Sequence, residues 1–272
     1  PIDQTKLDNP FSYTSSSYNN LANTIAQYSN YNETTIGDNK ATAIQALTDA
    51  MNLSFVELQD GDKVLLNNYA YTDRYIGCDG TKLTQNRTKA SYPNIFTFKK
   101  QSDGKWKIYN EYYDMYVGAV PTTPNTGIQM VSGEDNATAF SVESAITGTA
   151  NISDKTVNNI FWSQAGCNAL HMGDESYGIV IWVPTANAKP SQFYFEKNDI
   201  EQVLKDIDEA IIKQANVERY IGYSTPNDDV INTVANLKEA TENNHVSAYK
   251  ALEAAIAANT NDKVKPEVGK YY

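Results

Sequence analysis

Cysteine and histidine are almost missing from this chain, with two of each in 272 residues. So small a supply excludes the repeated Cys/His spacing of zinc-bound modules and a disulfide-dense scaffold. Cys78 and Cys167 leave two alternatives open, one disulfide or two buried free thiols. Basic residues are also scarce: 22 Lys and Arg stand against 33 Asp and Glu, a net charge of −11. A chain this acidic lacks the cationic face that neutralises phosphates, which argues against nucleic acid as a partner and against an anionic membrane surface. No apolar run approaches the roughly 18 residues of a membrane-spanning helix, so membrane insertion is not expected. HExxH, Gly-x-Ser-x-Gly and phosphate-loop patterns are absent, and nothing in the sequence calls for a cofactor or a metal.

Tyrosine is what the chain has in excess, 19 of them, amid abundant Asn, Thr and Ser. That composition is typical of exported proteins, and a secreted or cell-surface location is the expectation. The chain begins at Pro1, consistent with removal of a leader or with trimming. Sequons at Asn32, Asn52, Asn86, Asn136 and Asn151 are what chance supplies in a sequence so rich in Asn and Thr.

The hydrophobic period changes twice. Residues 1–52 read as an extended leader followed by helices over Ser16–Asn30 and Asp38–Met51, the second with Ala43, Ile44, Leu47 and Met51 on one face. Residues 53–197 read as short strands punctuated by Asp60-Gly61, Asp103-Gly104 and Ser132-Gly133. Residues 198–262 return to a helical period and predict a three-helix bundle. Its faces are Ile200, Val203, Leu204, Ile207, Ile211 and Ile212, then Val230, Ile231, Val234 and Leu237, then Val246, Tyr249, Leu252 and Ile256.

A three-fold echo organises the middle section. Arg74-Tyr75-Ile76-Gly77, Met115-Tyr116-Val117-Gly118 and Ala169-Leu170-His171-Met172-Gly173 are similar strands. Each is followed by a phenylalanine strand, at Phe96, Phe140 and Phe193. Val64-Leu65-Leu66, Trp106–Tyr109 and Ile160-Phe161-Trp162 are the expected opening strands of three units, and the longer third interval suggests an inserted loop around 144–158. One such unit cannot bury its apolar face, whereas three around a pseudo-threefold axis can. A second echo links Lys40–Leu47 to His245–Leu252, and Asp60–Val64 to Glu267–Tyr271. It suggests that residues 263–272 begin a further strand and that the chain belongs to a longer polypeptide alternating bundles with strand units.

On these repeats, residues 54–197 resemble the ricin-type β-trefoil family in its divergent, secreted bacterial form, and the helical parts resemble small three-helix modules of surface proteins. The resemblance implies an α+β multidomain chain: a β-trefoil flanked by α-helical bundle segments. It also implies shallow sugar pockets, one per unit. Two family features are altered. The pocket aspartate of the second strand is replaced by Gly77, Gly118 and Met172, and the closing Gln-x-Trp becomes Asn94-x-Phe96, Thr138-x-Phe140 and Ser191-x-Phe193.

Candidate binding residues come from two loops carrying tyrosines beside planar polar side chains, the combination that stacks on a sugar face and grips its hydroxyls. Residues 110–114 supply Asn110, Tyr112, Tyr113 and Asp114; residues 68–73 supply Tyr71 and Asp73. His171 reads as a partly buried structural residue and His245 as exposed, and neither sits in a nucleophile–base motif. Asp206, Asp208 and Glu209 read as a solvated helix face. The expectation is a non-catalytic interaction module whose partner is a glycan or a cell-surface protein. The alternative is a structural spacer or protein-binding array without sugar affinity.

Overall fold

The computed structural model describes residues 15–29, 39–51, 58–118, 121, 127–145, 149–154, 168–185, 187–197, 200–220 and 228–259. Its contacts divide the chain into two compact units, Pro1–Ile200 and Glu201–Tyr272.

The first unit opens with helices α1 (Ser15–Tyr28) and α2 (Lys40–Ala50), which contact one another. Leu21, Ala43 and Ala50 are buried, but Ile44 is 55% exposed, so the apolar face expected of α2 is narrower than the sequence suggested. Twelve short strands follow: β1 (Asp62–Asn68), β2 (Tyr75–Cys78), β3 (Leu83–Asn86), β4 (Ile95–Lys100), β5 (Trp106–Asn110), β6 (Met115–Val117), β7 (Met130–Val131), β8 (Ser141–Ser144), β9 (Ala150–Ser153), β10 (Ala169–Met172), β11 (Ile179–Trp182) and β12 (Phe193–Glu196).

Their antiparallel pairing closes a circuit. β1 pairs with β4, β4 with β5, β5 reaches β8 through the Trp106–Phe140 bridge, β8 pairs with β9, β9 with β12, and β12 with β1. A closed ring leaves no free edge to template aggregation. The remaining strands form three hairpins, β2–β3, β6–β7 and β10–β11. Six barrel strands and three capping hairpins, four strands per repeat, make the connectivity β-trefoil-like. Phe96, Phe140 and Phe193 lie in the barrel core fully buried, each contributing about 1.5–3 kcal/mol of apolar burial. Leu83, Ile128 and Ile179, one from each hairpin, come together in the cap: the Leu83 amide donates to the Ile128 carbonyl at 2.8 Å and the Ile128 amide to the Ile179 carbonyl at 3.2 Å.

Unit three departs from the expectation in two ways. Its opening strand is β9, inside the stretch read as an inserted loop, whereas Ile160-Phe161-Trp162 lies outside the described residues. Ala150-Asn151-Ile152-Ser153 carries a single large apolar residue, Ile152, so its strand signal is weak, yet all four residues are buried. The hairpin register also places His171, rather than Met172, level with Gly77 and Gly118: Gly77 faces Thr84, Gly118 bonds Gln129, and His171 faces Val180. A Cβ on Gly77 would run into Asn94 Oδ1, the residue equivalent to Ser191. In unit three the smaller Ser191 leaves room, and its hydroxyl lies 2.8 Å from His171 Nδ1. Burial pushes His171 down to about 4. Cys78 is a buried free thiol pushed up to about 12 by burial, and Cys167 lies outside the described residues.

The second unit holds most of α3 (Ile200–Tyr220), then α4 (Asp228–Lys238) and α5 (His245–Ala258). Ile211, Ala215, Val230, Val234, Leu237, Leu252 and Ile256 form its core. His245 is half-buried rather than exposed, its Nε2 2.7 Å from Asp208 Oδ2, which takes Asp208 out of the purely solvated face expected. No described helix is long and apolar enough to cross a membrane. Residues 1–14 and 260–272, with their expected leader and further strand, lie outside the described residues.

Candidate functional site

Two buried asparagines shape the loops that the sequence singled out. Asn68 ends β1; its Oδ1 accepts the amides of Ala70 and Tyr71 at 3.0 and 3.1 Å, while its Nδ2 donates to the Pro190 carbonyl at 2.9 Å. Asn110 ends β5 in the equivalent place. Its Oδ1 accepts the Tyr113 amide at 3.1 Å and its Nδ2 faces the carbonyls of Tyr92, Pro93 and Ile95 at 3.3, 3.3 and 3.0 Å. Each side chain therefore curls its own loop and staples it to the 3-10 turn of the preceding unit. Asp154 occupies the third equivalent position. Asn110 is fully buried with its amide spent on the backbone, so it is a loop-shaping residue and not the ligand contact expected from sequence.

The other candidates fall into two patches. In loop two, Tyr112 stacks on Tyr92 at 6.2 Å between centroids and meets Tyr113 edge-on at 4.8 Å. Tyr113 also packs against Gly80, where a Cβ would lie 2.8 Å from its ring and the backbone has φ +83°, so this turn position requires glycine. Asp114, in the left-handed region at φ 54°, accepts the Tyr109 hydroxyl at 2.9 Å. In loop one, Tyr71 is half-buried with the Arg74 guanidinium 4.6 Å above its ring, and Asp73 is exposed and bonded to Arg87.

Asp73 leads to a feature the sequence did not reveal. A cleft of about 560 Å³ opens between β3 and the turn of the β10–β11 hairpin. Arg74, Lys82, Gln85, Arg87, Glu175 and Tyr177 carry its chemistry. Gln85 locks the two walls: its Nε2 donates to the carbonyls of Gly173, Asp174 and Gly178 at 2.9, 2.9 and 3.1 Å, and its Oε1 accepts Arg74 Nη1 at 2.8 Å. Glu175 bridges two guanidinium groups, 2.6 Å from Arg87 Nη2 and 3.3 Å from Arg74 Nη2. The bond from Arg87, with the charge of Arg74 beside it, holds Glu175 below the usual carboxylate range. Asp174 is likewise held low by the Ser176 hydroxyl, with the amides of Ser176 and Tyr177 adding to it. Tyr177 stands at the rim with 47% of its surface exposed.

An exposed ring beside guanidinium, carboxamide and carboxylate planes offers an apolar face and paired hydrogen bonds together. Among the described residues no group of three or more His, Cys, Asp or Glu side chains is disposed to hold a metal ion. The cleft joins residues some 90 positions apart, which one sequence cannot pair. The nearest available signal was Tyr177 in a polar hairpin turn.

Compared with models of known protein families and with curated proteins, the chain gives no match. Among solved structures it is similar to the Rhizoctonia solani agglutinin at 12% identity, over 52% of this chain and 99% of that one, with a TM-score of 0.41. It is similar to the Macrolepiota procera ricin B-like lectin in complex with lactose at 13% identity, over 52% and 99%, with a TM-score of 0.41. It also resembles part of a mosquitocidal holotoxin at 14% identity and a TM-score of 0.41, covering 54% of this chain but 18% of the toxin. These likenesses are remote, and the β-trefoil-like assignment rests on the closed strand circuit and its three hairpins.

Proposed function

We propose that this chain is a non-catalytic carbohydrate-binding module, exported as an accessory part of a larger surface protein. The observation that carries the reading is the cleft at Gln85, Arg87 and Glu175 with the exposed Tyr177 at its rim. A sugar ring would stack on Tyr177, and its vicinal hydroxyls would bridge the planar side chains. Tyr71 and Asp73 would act from below and beside the cleft, through Arg74 and Arg87. Tyr112, Tyr113 and Asp114 would form a second, shallower contact patch. Weak sites repeated on one protein gain avidity through effective concentration.

A glycan array probed with the full chain, displayed multivalently so that millimolar sites register, tests this. Specific binding that is lost in a folded Tyr177→Ala, Arg87→Ala double variant supports the reading. Silence across the array from a folded protein overturns it in favour of a spacer or protein-binding scaffold. One observation favours that rival: Asp73 and Glu175 already occupy Arg87, and Glu175 also pairs with Arg74.

A further inference from the structure

In a chain of net charge −11, three cationic side chains lining one cleft stand out. Three cationic side chains, Arg74, Lys82 and Arg87, line the cleft against one carboxylate, Glu175. Of the neighbouring acids, Asp79 and Asp174 direct oxygens to backbone amides and to the hydroxyls of Thr81 and Ser176, and Asp73 bonds Arg87. Lys82 is exposed, and its charge helps to hold Asp79 below the usual carboxylate range. The two carboxylates on Arg87 are themselves exposed, Asp73 by 60% and Glu175 by 69% of their side-chain surface. They are held by charge-assisted bonds at the surface, where such pairs contribute little net stability and exchange readily.

We propose that the cleft takes an acidic saccharide, one whose ring bears a carboxylate. The ligand's carboxylate displaces Glu175 from Arg87, with the Lys82 ammonium on the same cleft lining adding longer-range attraction, while the sugar ring lies against Tyr177. A carboxylate fits this geometry because Arg87 already bonds carboxylates, Asp73 through Nη1 and Glu175 through Nη2, in charge-assisted bonds of the kind guanidinium groups favour. The proposal rests on reading the cleft as a saccharide site and names the class of saccharide.

The test is an NMR-detected titration of the full chain with a disaccharide ending in glucuronic acid and its counterpart ending in glucose, each at low and at high salt. A sulfated form of the glucose disaccharide is run alongside. The uronate form is expected to bind about tenfold tighter than the glucose form at low salt, with the advantage shrinking as salt screens it. Lys82→Gln should remove most of the preference, read as the ratio of uronate-form to glucose-form affinity in the variant against that ratio in the parent chain. Glu175→Gln should strengthen uronate binding several-fold, because it removes the competitor; a purely structural role for Glu175 predicts no gain. Equal binding of the two sugars overturns the acidic-saccharide claim and leaves the carbohydrate reading standing, as does a preference for the sulfated form. Uronate binding indifferent to both variants places the site elsewhere and also overturns the claim. No binding of any saccharide, here and on the array, removes the carbohydrate reading and this proposal together.

Discussion

At the residue scale, the decisive positions are polar and buried. Asn68 and Asn110 each bond backbone groups of two different units, and losing either strands several buried carbonyl and amide groups. Each stranded group costs about 1–3 kcal/mol. Asn110→Ala should therefore destabilise the strand unit by about 2–4 kcal/mol, read as a lower urea midpoint. Asn110→Asp should cost at least as much, because it turns an acceptor toward three carbonyls. The sequence offered Asn110 as a sugar ligand because Asn beside tyrosines looks the same whether it faces solvent or the backbone; only the turn of Tyr92–Asn94, delivered from another unit, distinguishes them. His171 gives a pH signature. Its ring protonates near 6.5 in the unfolded chain and only near 4 when folded, so the unfolded state binds more protons in between. Stability from this group is complete above about pH 6.5 and is lost as pH falls toward 4, by up to about 3 kcal/mol. His171→Asn should flatten that part of the stability–pH curve, measured by urea unfolding at pH 7 and pH 4.5.

Elements were legible where their apolar residues were large. The phenylalanine strands and the stripes of α3, α4 and α5 stood out because Phe, Ile, Val and Leu recur at the period of the element they build. β9 did not, because its buried residues are small or polar and its burial comes from partners on both sides, β8 and β12, rather than from its own composition. The register of β10 differs for a related reason: the sequence reading sets Met172 level with the glycines at 77 and 118, whereas the space beside that position is set by residues 94 and 191 and the pairing puts His171 there. This gives a coupled prediction. Gly77→Ala should cost about 1–3 kcal/mol, since its Cβ meets the Asn94 side chain, which is fixed by bonds to Asn86 and to the Thr88 carbonyl. Adding Asn94→Ser, the residue type beside His171, should recover part of that loss; a double-mutant cycle with no coupling would contradict the assigned equivalence.

On the scale of the whole chain, each compact unit has its own core, and all three tryptophans fall at 106, 162 and 182, within the strand section. We propose that strand and helical sections behave as separate domains. Leu252→Ala should then lower the urea midpoint followed by helical circular dichroism at 222 nm, by about 2–5 kcal/mol, and leave the tryptophan-fluorescence transition in place. The class of fold was written in the three-fold repeat. The cleft was not, because its walls come from β3 and from a hairpin turn some 90 residues later, and their charges meet only when the ring of strands closes. Chemical-shift mapping addresses the proposed role at its source. When the nitrogen-15-labelled full chain is titrated with a saccharide bound on the array, the amides that move should be those of residues 82–87 and 175–178. Shifts confined to the helical section or to residues 111–114, or none at saturating saccharide, would contradict a saccharide site in the cleft.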